Sequence, residues 1–497
     1  MADDSGTPPV RSGRIELDAA TFRRLGHRLV DRIAELNATL PDRPVTRAAS
    51  PATIREELGR LAAEAGGAGD PGVLLERATD ILFEHSLFNG HPRFWGYISG
   101  APAPIGVLGD LLAAAVNPNV GPWILSPVAT EIERAVVDWI GGFVGHRAGG
   151  GLLVSGGNVA NHVGFLAALR RATGQETRSM GLRGLGSEPV LYASRETHTW
   201  VQKSADLAGL GTAAIRWIET DETGRMLVAP LVETVRADIA AGRLPFLVVA
   251  NAGTVSTGAV DPLDEIADTC EKFGLWLHAD GAYGGLAASL PELSGTFVGL
   301  DRADSVALDP HKWMYAPLEA GCTLVRDATH LTDTFAYHPP YYDFETEALN
   351  FLDYGPQNSR GFRALKVWLS CLHLGVEGYR TLLREDIALA RRAFERFEAE
   401  SDFEAHTCEL SITTYRYVPG HLRSGLGEAE TEDRLDALND AILDRIEKSG
   451  EYFVSRAMIR GRLAQRLCIV NFRTTAADVD AFPAFVRRIG EELDAQR

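Results

Sequence analysis

Cysteine is scarce in this chain: there are five in 497 residues, an odd number and widely scattered. Cys270, Cys322, Cys371, Cys408 and Cys468 make neither a disulfide framework nor a metal-ligand spacing. Most sit in apolar surroundings and are expected to be reduced core residues, and no metal site is expected. Cations are also in deficit, with 49 Lys and Arg against 67 Asp and Glu and a net charge of −18. Phosphate-backbone binding wants a basic face, so the balance argues against a nucleic-acid partner. No apolar run reaches membrane-spanning length, and the opening M-A-D-D-S-G-T-P-P lacks the apolar segment of a secretory signal. Internal repeats and low-complexity tracts are missing too. A cytoplasmic globular protein is expected, long enough for more than one domain.

What is present changes character along the chain. Residues 18–39 carry Phe22, Leu25, Leu29, Ile33 and Leu36 at helical spacing. A second helix is expected from Ser50-Pro51, a cap followed by a first-turn proline, and a third over 71–85. They precede any strand signal and read as an N-terminal helical arm. Helices are also expected over 105–116 and 129–144, the latter with Glu131 and Glu133 placed to suit its dipole. From Gly149 onward, apolar runs over 151–154, 189–193, 213–217, 246–250, 275–278, 305–308 and 321–325 alternate with helical segments. That alternation predicts an α/β fold with a mostly parallel sheet covered on both faces. Residues 329–360 have weak periodicity and are rich in Tyr, Pro, Asp and Asn, as long functional loops often are. Helices over 361–374 and 378–400 lead to a small α+β unit with strands near 410–417 and 467–472. The expected division is an arm (1–95), a large α/β domain (96–375) and a small C-terminal domain (376–497).

The chemistry concentrates in residues 275–317. L-W-L-H-A-D-G-A-Y-G-G delivers a carboxylate, Asp280, and S-V-A-L-D-P-H-K-W-M-Y-A-P delivers an amine, Lys312. In an open α/β sheet, groups at the carboxyl ends of strands meet the ligand. A lysine amine forms a Schiff base with a carbonyl, and an acidic partner for a pyridine nitrogen completes the requirement of pyridoxal phosphate. Ser155-Gly-Gly-Asn158 opens a helix straight after a strand, where free N–H groups attract a phosphate. His198 follows another strand, placed to stack on a flat ring or to move a proton. Asn251-Ala-Gly-Thr254 ends a fourth. Each has a plainer reading, as a glycine turn, a structural histidine or a strand connection. Their joint occurrence in one sheet is the stronger signal.

The phrases H-P-R-F-W-G-Y, S-P-V-A-T-E-I-E, L-V-S-G-G-N, H-A-D-G-A-Y-G-G and D-P-H-K-W resemble those of the group II pyridoxal-phosphate decarboxylases. That family acts on aromatic amino acids, histidine and glutamate, and the resemblance covers nearly the whole chain. It implies an aspartate-aminotransferase-like fold (fold type I) and a homodimer with intertwined arms and shared active sites. It further implies that Lys312 carries the cofactor covalently, Asp280 pairs with the pyridine nitrogen, His198 stacks on the ring and Ala282 packs its other face. Gly157 and Asn158 would bind the phosphate, with His311 and Asp309 near it or near Lys312. Tyr341, or Tyr342 beside it, matches a loop tyrosine thought to return a proton after carbon dioxide leaves. Tyr97, Ile98, Trp123 and Ser359 would line a substrate pocket suited to an aromatic L-amino acid, with a lean to tyrosine or DOPA. Three departures stand out. Val159-Ala160 replaces a polar pair, Thr254-Val255 leaves Thr254 as a substitute hydroxyl, and Gly121 suggests extra room where an aromatic is common. The rival readings are an oxygen-using aldehyde synthase, a transaminase with Arg473 as its carboxylate clamp, and a silent cofactor-binding protein.

Overall fold

The computed structural model describes residues 15–65, 69–339 and 348–496. The chain divides into a helical unit ending at Leu87 and a larger unit, Phe88–Arg497. In the first, helices Ala19–Thr39, Pro51–Ala65 and Pro71–His85 form where the periodicity places them. Asp18 caps one by accepting from the N–H groups of Ala20 and Thr21, and Ser50 accepts from Thr53 N–H. Arg28–Glu76 and Arg32–Asp80 ion pairs tie the first helix to the third.

The larger unit is built on seven strands: β1 (Gly150–Val154), β2 (Pro189–Ser194), β3 (Ile215–Ile218), β4 (Leu244–Asn251), β5 (Trp276–Asp280), β6 (Ser305–Leu308) and β7 (Gly321–Val325). Their order is β1-β7-β6-β5-β4-β2-β3. Only β7 runs antiparallel to its neighbours, so β1, β2, β4, β5 and β6 all end on one edge. Successive side chains point to opposite faces. Leu247 and Val249 of β4 therefore enter one apolar core, and Val248 and Ala250 the other. Burial on both faces explains why these strands read as unbroken apolar runs.

A second, antiparallel sheet comprises β8 (Phe403–Glu409), β9 (Ile412–Tyr417), β10 (Ser455–Ile459) and β11 (Arg462–Cys468), ordered β10-β11-β9-β8. β10 was not expected from the sequence, because Arg456 and Met458 alternate outward and leave no apolar run. Arg460 and Gly461, both at positive φ, close its hairpin with β11. The two helices expected over 361–374 and 378–400 form one element, Ala364–Glu398, with Gly375 at φ 63° marking the kink between them.

Glu133 departs from its expected role. It is not a solvated dipole partner but pairs with Arg360 inside the protein, their side chains 0% and 1% exposed. Arg360 also donates to the carbonyls of Val120 (2.8 Å) and Leu153 (2.6 Å), while Glu133 accepts from Leu153 N–H (2.8 Å). The pair thus joins residue 360 to β1. Replacing Arg360 by methionine leaves a buried carboxylate without its cation, at an expected cost of about 3–5 kcal/mol. A urea titration reads this as a lower midpoint at unchanged slope.

Candidate active site

Five strand ends deliver polar groups to one cleft on the carboxyl edge of the large sheet. Its walls include Gly157, Asn158, Glu196, His198, Thr254, Asp280, Ala282, Asp309 and Lys312. Asp280, the last residue of β5, is 8% exposed. Its Oδ2 accepts from Trp200 Nε1–H at 2.7 Å and its Oδ1 from Ala282 N–H at 3.2 Å, which fixes the plane of the carboxylate. Lys312 lies in the short turn Pro310–Trp313 after β6, with its Nζ 2.9 Å from Asp309 Oδ2. Asp309 Oδ1 is buried and accepts no hydrogen bond from the protein.

His198 stands exposed on the cleft wall. Lost hydration holds its pKa below the ordinary value, Lys312 adds to that, and Asp280 opposes it. The His198 Nδ1 accepts from Trp200 N–H (3.3 Å), which leaves Nε2 to face the cleft. His311 is also pushed down by burial; its Nδ1 accepts from Ala320 N–H (3.1 Å), and its ring lies 3.7 Å from Asp309. Thr254 is buried, and its hydroxyl is engaged inside its own loop, by Thr257 Oγ1 (3.0 Å) and Ala259 N–H (3.2 Å).

Gly157 begins the helix Gly157–Thr173. A chain of donors holds its peptide in place: Trp276 Nε1–H to Ser305 (2.8 Å), Ser305 to His278 Nδ1 (2.7 Å), His278 Nε2–H to Asn161 (2.7 Å), and Asn161 to the Gly157 carbonyl (2.8 Å). Burial pulls the His278 pKa down to about 4, so this imidazole stays neutral and the chain keeps its direction. A Cβ on Gly157 would sit 2.6 Å from Asp309 Oδ2 and 3.0 Å from Ala282 Cβ, so only glycine leaves the floor of the cleft open.

The four substrate-pocket candidates do not line this cleft. Tyr97 is 61% exposed at φ 52° and packs near Phe453. Ile98 is half-buried beside it, and Gly100 abuts the Lys312 carbonyl. Trp123 donates to Glu131 (3.1 Å), and Ser359 is exposed. The extra room expected at Gly121 does not exist, because the Asn358 carbonyl occupies the space a side chain would take. Tyr341 and Tyr342 lie outside the described residues. Asn161, Glu196 and Tyr283 line the cleft without having been singled out; only their nearness to Asn158, His198 and Ala282 in sequence signalled them.

The comparisons agree with this geometry. The model of the pyridoxal-dependent decarboxylase conserved domain matches residues 71–416. An aromatic-L-amino-acid decarboxylase of Bacillus atrophaeus is 34% identical over 97% of this chain and 98% of its own. Among solved structures, Oryza sativa TDC with PLP and tryptamine superposes with a TM-score of 0.87 at 27% identity, over 97% of this chain and 100% of that one. Rhodiola rosea 4-hydroxyphenylacetaldehyde synthase gives 0.85 at 26% identity, over 96% and 99%. The chain belongs to the pyridoxal-dependent decarboxylase family. It has that family's fold, a mostly parallel seven-stranded sheet with a small C-terminal antiparallel one, and it is a pyridoxal-phosphate-dependent amino acid decarboxylase. The site fits the cofactor: a lysine amine, an unengaged buried carboxylate oxygen, a glycine-floored helix start and a strand-end carboxylate share one cleft. Among the described residues no group of His, Cys, Asp and Glu is arranged to hold a metal ion, and no helix is long and apolar enough to cross a membrane.

Proposed function

We propose that the protein converts an aromatic L-amino acid to its amine and carbon dioxide. The observation that carries this reading is the convergence of Lys312, Asp280 and His198 on a single cleft. The 34% identity to an aromatic-L-amino-acid decarboxylase supports the substrate class. When bound, pyridoxal phosphate supplies an electron sink for the charge left by the departing carboxylate. Lys312 would hold the cofactor through its amine, with Asp309 beside it. Asp280, fixed by Trp200 and Ala282, would pair with the pyridine nitrogen and hold a proton there. His198 and Ala282, both on the cleft wall, would pack against the bound cofactor. Gly157 and Asn158 offer N–H groups to the phosphate at a helix start, where the helix dipole favours an anion. His311 and Asp309 orient that end and the lysine, and Thr254 shapes the wall. Tyr341, or Tyr342, returns the proton.

The working unit in this reading is a cytoplasmic homodimer. Leu108, Leu111, Leu112 and Val116 line the exposed side of the helix Pro104–Val116, and Ile124, Leu125 and Val128 follow, each more than half exposed. An apolar patch of this kind marks an interaction surface, and a second copy covers it. Residues 1–95 serve as the dimerising arm, 96–375 as the cofactor domain and 376–497 as the small domain. Tyr97, Ile98, Trp123 and Ser359 line the substrate side of the site in the dimer.

The test gives purified holoenzyme a panel of L-amino acids and follows carbon dioxide, amine, aldehyde and peroxide together. Equal amounts of carbon dioxide and amine from tyrosine, DOPA or tryptophan are expected. Turnover of acidic or imidazole substrates alone overturns the aromatic assignment. Aldehyde with peroxide in place of amine moves the protein to the oxidative branch.

A further inference from the structure

The turn that carries Lys312 is held from behind by a residue that none of the steps above uses. Asp386 lies in the helix Ala364–Glu398 and is 2% exposed. Its Oδ2 accepts from Trp313 Nε1–H at 2.8 Å and from the Tyr315 hydroxyl at 2.6 Å, and its Oδ1 faces Asn471 N–H at 3.5 Å. Every neighbour is a donor. Burial pushes the carboxyl up to about 7, and the Tyr315 and Trp313 bonds oppose that rise.

Both partners act on the lysine's backbone. Trp313 follows Lys312 directly and stacks on Tyr283, a wall of the cleft, with ring centroids 5.2 Å apart at 13°. Tyr315 has φ 57°, a left-handed conformation that an aromatic residue adopts only where its surroundings impose it. Three bonds impose it: the hydroxyl to Asp386, Ala103 N–H to the Tyr315 carbonyl (2.8 Å), and Tyr315 N–H to the Lys312 carbonyl (3.2 Å). The same helix also reaches the small sheet, where Thr413 Oγ1 donates to the Ala390 carbonyl at 2.6 Å. Asp386 thus sits where the lysine turn, the long helix and the small domain meet.

We propose that Asp386 is a positioning residue for Lys312: by fixing Trp313 and Tyr315 to the long helix, it sets where the amine stands relative to Asp309 and Asp280. The proposal rests on Lys312 being the cofactor-bearing lysine. It concerns orientation alone, since the hydrogen bonds of Asp386 go to Trp313, Tyr315 and Asn471, none of which lines the cleft.

The test compares holoenzyme of the wild type and of Asp386→Asn, which keeps the volume and one acceptor oxygen but loses the charge. Borohydride reduction and peptide mapping first locate the cofactor; a label on any lysine other than Lys312 removes the underlying reading and the proposal with it. With Lys312 labelled, kcat is expected to fall about tenfold or more with KM changed less than about twofold, as displacement of a reacting group does. The induced circular dichroism of the bound cofactor's visible band changes with it, while the thermal midpoint stays within a few degrees. Where Asp386→Asn fails to fold, Trp313→Phe and Tyr315→Phe each remove one donor and keep the ring, and the same dichroism change is expected. Wild-type kcat and dichroism in these variants overturn the proposal. So does a kcat that falls only in proportion to the folded fraction, with an unaltered signal per bound cofactor.

Discussion

Lys312→Ala is expected to abolish decarboxylation, with kcat lower by more than about 10³-fold, because a covalent group is lost and nothing in the cleft substitutes for it. Lys312 is the cleft's one lysine among its described lining residues, and Asp309 is the carboxylate beside it. The variant should still bind the cofactor through its phosphate, yet lack the visible absorption of the lysine-bound form. Equilibrium dialysis together with an absorption spectrum separates the two effects. Asp309 then loses its cation while 1% exposed, so a lower thermal midpoint accompanies the change. A variant that keeps a tenth of the wild-type rate would sink the assignment of Lys312.

Asp280→Asn has the second largest expected effect, a loss of about 10²–10³-fold in kcat, the scale on which a preorganised charge acts in a water-poor site. The amide is nearly isosteric, so packing in the strand is preserved. Its NH₂ group, however, must face one of two donors, Trp200 Nε1–H or Ala282 N–H, and neither can accept from it. Loss of charge and a frustrated hydrogen bond act together. Trp200→Phe separates them, because it keeps the charge and removes one donor; it should cost far less than Asp280→Asn. Equal losses in both variants would mean that the carboxylate matters for its geometry alone.

The parallel sheet was legible because each strand is buried on both faces and ends abruptly in polar groups. β6 and β7 appear with the expected limits, and the lysine, aspartate and histidine emerge at strand ends as the topology requires. Contacts made across long stretches of chain were not legible. Nothing near Glu133 announces Arg360, and nothing near Trp313 announces Asp386, 73 residues on. Gly121 shows the same limit from the other side. An absent side chain reads as space in a sequence, but a carbonyl from residue 358 already fills that space. The exposed pocket candidates Tyr97 and Ser359 meet a related limit: a residue's character marks it for a surface without saying which surface it meets.

The Arg360 anchor has a counterpart upstream, where Arg178 Nη2 donates to the carbonyls of Thr334 (3.0 Å) and Ala336 (2.9 Å). The chain is therefore pinned at 336 by Arg178 and again at 360, where Arg360 bonds the β1 carbonyl of Leu153. For an engineer the two pins mark how far a replacement sequence can reach before it meets anchored backbone. A replacement that spares the sheet must stop short of Phe351 and Leu352, which are buried between the pins, Phe351 in the same apolar core as strand residues Leu152 and Leu247.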